Sequence, residues 1–186
     1  MSAINVQGVA TGAFTKLATS VADCSNTTNE TTVLTVTVPK NTWNSGEIIN
    51  IWARIEAKQN SGGAVNFTQK VKVNSSSITV VNASSIANST NSGKFTQGFS
   101  IVRNGSDVEF MPAKNDVTVG DAGGAFMPVT TELGGNAITT NHFSTNIYTS
   151  VDFTADVVIT MTAQWASSNA NTYFNGVSVI ASKANR

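Results

Sequence analysis

The chain has 186 residues, of which 40% are hydrophobic and only 12% charged, with 11 basic side chains balanced by 11 acidic ones. That length suits one domain around a single core and argues against two. Balanced charge without runs leaves no footprint for tracking phosphates, and no stretch is long and apolar enough to span a bilayer, so neither nucleic acid nor a membrane is an expected partner.

The charged share is about half that of an ordinary soluble domain, so solubility falls to Asn, Ser and Thr, about a third of the chain. These residues suit exposed strands and turns better than helix interiors. Near-zero net charge also weakens repulsion between copies, which suits a protein that assembles.

Residues 1–30 read as an N-terminal arm, with Ile4, Val6, Val9 and Phe14 spaced among small residues and no strong strand pattern. This start lacks a basic stretch and an unbroken apolar run, so it does not read as a secretory signal. Cys24 is the one cysteine, which excludes an internal disulfide and a cysteine-based metal cluster.

From Thr31 to Pro39, "TTVLTVTVP" alternates Leu34, Val36 and Val38 with threonines, which predicts a first clear strand. After the turn-rich "KNTWNSG", "EIINIWARIEAK" places Ile49, Ile51, Ala53, Ile55 and Ala57 on one face and Ile48, Asn50, Trp52, Arg54 and Glu56 on the other. "QNSGG" then predicts a hairpin into "AVNFTQKVKV". A short strand "ITVV" follows, and Asn82 to Gly93 is expected as a polar loop with room for one helical turn.

"KFTQGFSIVRNGSDVEFMP" predicts a hairpin with Phe95, Phe99 and Ile101 inward, Asn104-Gly105 as its turn pair and Gly98 as a bulge. Ala113 to Gly135 is the least regular region, with a short strand expected at Phe126 to Thr131. "VVITMTAQW" sets Val157, Ile159, Met161, Ala163 and Trp165 against Val158, Thr160, Thr162 and Gln164, and "TYFNGVSVIAS" is the last strand. Many short alternating strands predict an all-β, antiparallel, double-layered fold over residues 31–186.

Two stretches, "TTVLTVTVPKNTWNSGEIINIWARIEAKQNSGGAVNFTQKVKV" and "SVDFTADVVITMTAQWASSNANTYFNGVSVIAS", resemble the jelly-roll domains of tailed-phage virion proteins. The likeness lies in Val38-Pro39 through Gly46 and in the closing hairpin from Asp156 to Ser182, and it covers most of the chain. The resemblance implies a jelly-roll β-sandwich of the tumour-necrosis-factor-like kind that associates as a homotrimer. It implies a role as capsid decoration or cement protein, or as a head- or tail-fibre knob, at the virion surface after assembly in the host cytoplasm. No catalytic motif travels with it.

The chemistry-bearing residues carry no enzyme pattern. His142 is the single histidine, and no G-x-S-x-G elbow accompanies it, so it reads as a loop histidine. Asp107, Glu109, Asp116, Asp121, Glu132, Asp152 and Asp156 could supply a carboxylate pair for glycoside cleavage, but no spacing selects one, and such residues commonly solvate turns. Asp116 and Asp121 bracket "VTVG" without the alternating ligands of a calcium loop. Seven N-x-S/T triplets, at Asn26, Asn29, Asn66, Asn74, Asn82, Asn88 and Asn104, follow from a composition this rich in Asn, Ser and Thr. The expectation is therefore no enzyme, no metal and no cofactor.

Three surfaces remain. Trp52 lies opposite the aliphatic face of its strand with Ile48 and Arg54, and Tyr173 points away from its neighbour Phe174; these four are candidates for a trimer interface. Trp165 belongs to the core. Ile4, Val6, Val9 and Phe14 are candidates for an arm that anchors on the major capsid protein or another virion protein. Asp121 and Phe126 mark an exposed loop, whose one aromatic offers little for stacking on a host surface glycan. With few residues available for a shaft, the decoration role is expected ahead of the glycan-binding knob.

Overall fold

The computed structural model of the protein describes residues 14–86, 88, 90, 92–112, 146–148 and 150–184. Among them lie β1 (Phe14–Lys16), β2 (Ala18–Val21), β3 (Asp23–Ser25), β4 (Thr31–Val38), β5 (Ile48–Gln59) and β6 (Val65–Val73). β7 (Ser76–Ile86), β8 (Gly93–Asn104), β9 (Asp107–Pro112), β10 (Asn146–Tyr148), β11 (Val157–Trp165) and β12 (Thr172–Ala184) follow. No helix occurs among the described residues.

The strands form two antiparallel sheets. The first, sheet A, is seven-stranded in the order β1-β12-β5-β8-β9-β10 with β3 also on β12, and the second, sheet B, is five-stranded in the order β2-β4-β11-β6-β7. Each sheet turns one face inward, because alternate residues of a strand point to opposite sides. On β5 the inward row Ile49, Ile51, Ala53, Ile55 and Ala57 is at most 1% exposed, and on β11 Val157, Ile159, Met161, Ala163 and Trp165 are at most 2% exposed. Burying a side chain of this size contributes about 1.5–3 kcal/mol, which makes these rows the main support of the sandwich.

Aromatic rings join the layers. Phe67 of β6 packs on Trp165 of the same sheet at 4.6 Å and on Phe174 of the facing sheet at 4.9 Å, centroid to centroid. A polar link crosses the same core: Gln69 of β6 donates from Nε2 to Gln97 Oε1 of β8 at 2.7 Å, and Gln97 donates back at 3.2 Å. Each amide is buried and each satisfies the other, so the pair avoids the penalty of an orphaned polar group.

The structure departs from the sequence-based expectation at several places. Phe14, expected in a free arm, opens β1 as the register partner of Ala184, and β2 and β3 pair with β4 and β12. Thus the ordered sheets begin within residues 1–30. β7 runs on to Ile86, so Asn82–Ile86 extends the strand where a polar loop was expected. It is the terminal strand of its sheet, where polar residues are tolerated because no second strand needs them to pack.

The β8–β9 turn is centred one residue later than expected. Asn104 pairs with Asp107, and Gly105 alone of the two central residues has a positive φ, +65°, as a glycine-first hairpin turn requires. Gly98 is not a bulge, because β5 and β8 stay in register throughout. The strand expected at Phe126 to Thr131 lies outside the described residues.

Candidate assembly surface

The register of sheet A places all four residues proposed for a subunit contact on its outer face. On β5 the even positions point outward, and Ile48 pairs with Ala184, Trp52 with Ile180, Arg54 with Ser178, and Lys58 with Tyr173. The four form a stripe along the β5–β12 seam rather than a compact cluster. Trp52 and Arg54 are exposed, whereas Ile48 and Tyr173 are half-buried.

Trp52 is the centre of that stripe, and Gly98 explains its posture. Gly98 is its register partner on β8, and a Cβ built there would lie 2.6 Å from the indole ring, so the ring lies over the glycine. The missing side chain lets a large aromatic lie against the sheet while 43% of the residue stays exposed. Ile180, across from it on β12, is 66% exposed, and Met111 of β9, on the same face, is 44% exposed. Half-buried Val102 and Ile48 extend the apolar band.

Arg54 is the charge nearest Trp52, one outward position along β5. On the other side of Trp52, the uncharged Ser100 donates from its hydroxyl to Asn50 Oδ1 at 2.7 Å. Beyond Arg54, Lys94 and Glu56 stand 3.8 Å apart, and Tyr173 donates weakly to Glu56 at 3.4 Å. Burial pushes the Tyr173 phenol up, so its hydroxyl stays protonated at neutral pH.

The opposite outer face, on sheet B, is built differently. There β6 presents Lys70 and Lys72, β11 presents Thr160, Thr162 and Gln164, and the chain between β3 and β4 lies across them. Glu30 accepts from Lys70 Nζ at 2.6 Å and from Thr162 Oγ1 at 2.9 Å, and also pairs with Lys72, while Gln164 donates to the Thr28 carbonyl at 3.1 Å. The hydrogen bonds from Lys70 and then Lys72 hold the Glu30 carboxyl at about 2. The charges of the sheet B face are thus paired beneath its own crossing chain, whereas the sheet A face carries Arg54, Glu56, Lys58 and Lys94 beside an apolar patch whose tryptophan points outward.

The remaining candidates divide by location. Ile4, Val6, Val9, Asp116, Asp121, Phe126, Glu132 and His142 lie outside the described residues. Among the described carboxylates, several serve turns: Asp152 accepts from Thr154 N and Oγ1 at 2.8 and 2.6 Å, Asp156 accepts from Lys40 N at 2.8 Å, and Asp107 accepts from Ser150 N at 3.0 Å. No group of three or more His, Cys, Asp or Glu that could hold a metal occurs among the described residues. Cys24 is buried, and burial pushes its thiol up, away from the thiolate form that reacts.

Sequence reasoning missed one polar centre. Glu47, in the β4–β5 loop, meets Lys183 near the end of β12, with Nζ donating to Oε1 and Oε2 at 3.1 and 3.0 Å and to the Thr42 carbonyl at 2.6 Å. Burial raises the Glu47 carboxyl, but hydrogen bonds from Asn44 and Lys183 together outweigh it and leave the group below the usual carboxylate range. The available signal was two charged residues at the ends of strongly alternating strands, and nothing local joins them. In comparison with known proteins, no family model matches this chain, and no curated protein or solved structure matches it.

Proposed function

We propose that this chain is a structural virion protein of a tailed bacteriophage, a jelly-roll decoration or cement protein that attaches to the head shell as a homotrimer. The strand order supports the jelly-roll part: β4, β11, β6 and β7 share one sheet, β12, β5 and β8 the other, and the chain crosses between layers from β4 to β5, β5 to β6, β7 to β8 and β11 to β12. The virion part rests on the resemblance of the two strand-rich stretches.

The observation that carries the assembly reading is the outward Trp52–Ile180 pair, with Ile48, Val102 and Met111 on the same face. An exposed aromatic flanked by aliphatic residues and rimmed by charge has the make-up of an interface centre. A chain of net charge +0 adds no long-range repulsion between copies. The role requires no catalysis and no cofactor, and its partners are further copies of the chain and the major capsid protein. The anchor is assigned to Ile4, Val6 and Val9, ahead of β1.

Mixing the purified protein with bare phage heads and, separately, with host cells tests the role. Saturable attachment to heads is expected, and deletion of residues 1–13 should abolish it while leaving the melting temperature unchanged. Attachment to cells alone would replace the cement role with a receptor-binding knob, and attachment to neither would overturn both.

A further inference from the structure

In the polar centre at the β4–β5 loop a single carboxylate holds both an amine and a carboxamide. Lys183 Nζ and Asn44 Nδ2 both donate to the same oxygen, Glu47 Oε1, each at 3.1 Å. The two nitrogens are thus separated by no more than twice that distance. Asn44 is further fixed by its backbone N, which donates to Glu47 Oε2 at 2.6 Å.

The surroundings are dry on one side and open on the other. Glu47 and Lys183 are 7% and 8% exposed, and Trp43, itself 1% exposed, donates from Nε1 to the Glu47 carbonyl at 3.0 Å. Phe153 meets the Trp43 ring edge-on at 5.6 Å. Asn44 itself is exposed, which leaves a path outward for a small leaving group.

An amide exchange needs a nucleophilic amine, a carbonyl to receive it and an acid–base group touching both. All three are present. We propose that Lys183 and Asn44 join in an intramolecular isopeptide bond, with Glu47 carrying the protons. Glu47 takes one proton from the Lys183 ammonium, and the free amine adds to Asn44 Cγ. Glu47 passes its proton to Nδ2, the Cγ–Nδ2 bond breaks and ammonia leaves. The second proton lost by Nζ returns through Glu47 to the ammonia, giving ammonium, so Glu47 ends as the carboxylate it was. One C–N bond replaces another, and no oxidant, reductant or further reactant enters.

Glu47, Asn44 and Lys183 meet only in the folded chain, so the bond forms after folding, on ageing. Its effect is to fasten the end of β12, where Thr15 of β1 pairs with Lys183, to the β4–β5 loop. A link between positions this far apart in sequence restricts the unfolded chain strongly. It does not depend on the virion role.

The test is the intact mass of the full-length protein, followed from fresh preparation until it no longer changes. The expected result is a mass lower than that of the sequence by one ammonia. Trypsin should then fail to cleave after Lys183 and should release a branched peptide containing Asn44. Lys183→Arg, which keeps the charge beside Glu47, and Asn44→Ala should both stay at full mass. An unchanged wild-type mass, an ammonia loss that maps to a succinimide at Asn104-Gly105, or a loss that persists in Lys183→Arg would overturn the proposal.

Discussion

Glu30 illustrates how one side chain secures a covering segment. It lies near the end of the chain between β3 and β4, and its carboxylate bonds Lys70, Lys72 and Thr162 on two strands of sheet B. Because those partners favour the charged form, its folded-state value of about 2 lies below the ordinary 4.5. A group depressed in this way stabilises the fold fully above its unfolded value, and that contribution is lost as pH falls through the folded one. Melting temperature should therefore decline between about pH 4.5 and about pH 2, and Glu30→Gln should flatten this part of the profile while lowering stability at pH 7. Parallel thermal melts of the two proteins across that range provide the check; identical slopes would mean that Glu30 does not hold the segment. The partners' side chains are 27% and 29% exposed, so solvent screening keeps the effect modest.

At the scale of elements, the Gln69–Gln97 pair ties the two sheets at a fixed register. Gln69→Leu leaves the Gln97 amide buried without its partner, at a cost of about 1–3 kcal/mol, whereas replacing both by Leu removes the orphan and should be close to neutral. Urea unfolding of the four members of the cycle measures the coupling, and additive losses would show that the two amides act independently. The strands with the cleanest alternation were legible for a simple reason: β5, β6 and β11 bury every second residue, and that period is written in the composition of each face. β1, β2 and β3 were not, because three or four residues offer too few repeats to set a period. β7 was cut short because its later residues are polar, a pattern that terminal strands tolerate. Non-local contacts were hidden altogether: the posture of Trp52 depends on Gly98 across a strand pair, and Glu47 finds Lys183 at a separation of 136 residues.

At the scale of the whole molecule, the two outer faces differ enough to assign them separate roles. The sheet B face has Lys70 and Lys72 paired with Glu30, and Thr162 and Gln164 bonded to the chain that crosses them, so it has little to gain from a partner. The sheet A face keeps Trp52 and Ile180 outward beside Asn50, whose Oδ1 already accepts from the Ser100 hydroxyl, so a contact there would not leave that donor and acceptor unpaired. A homotrimer through this face should give three chain masses by light scattering at micromolar concentration. Ile180→Asp is the sharper probe. At 66% exposure the residue contributes little to the isolated fold, so the variant should keep its melting behaviour as a monomer to within about 0.5 kcal/mol. In an assembled contact the same carboxylate would be buried without a partner, costing several kcal/mol and driving the equilibrium to single chains. Wild-type protein that stays monomeric, or an Ile180→Asp trimer as stable as the wild type, would move the subunit contact away from this face and leave the exposed tryptophan without its assigned partner.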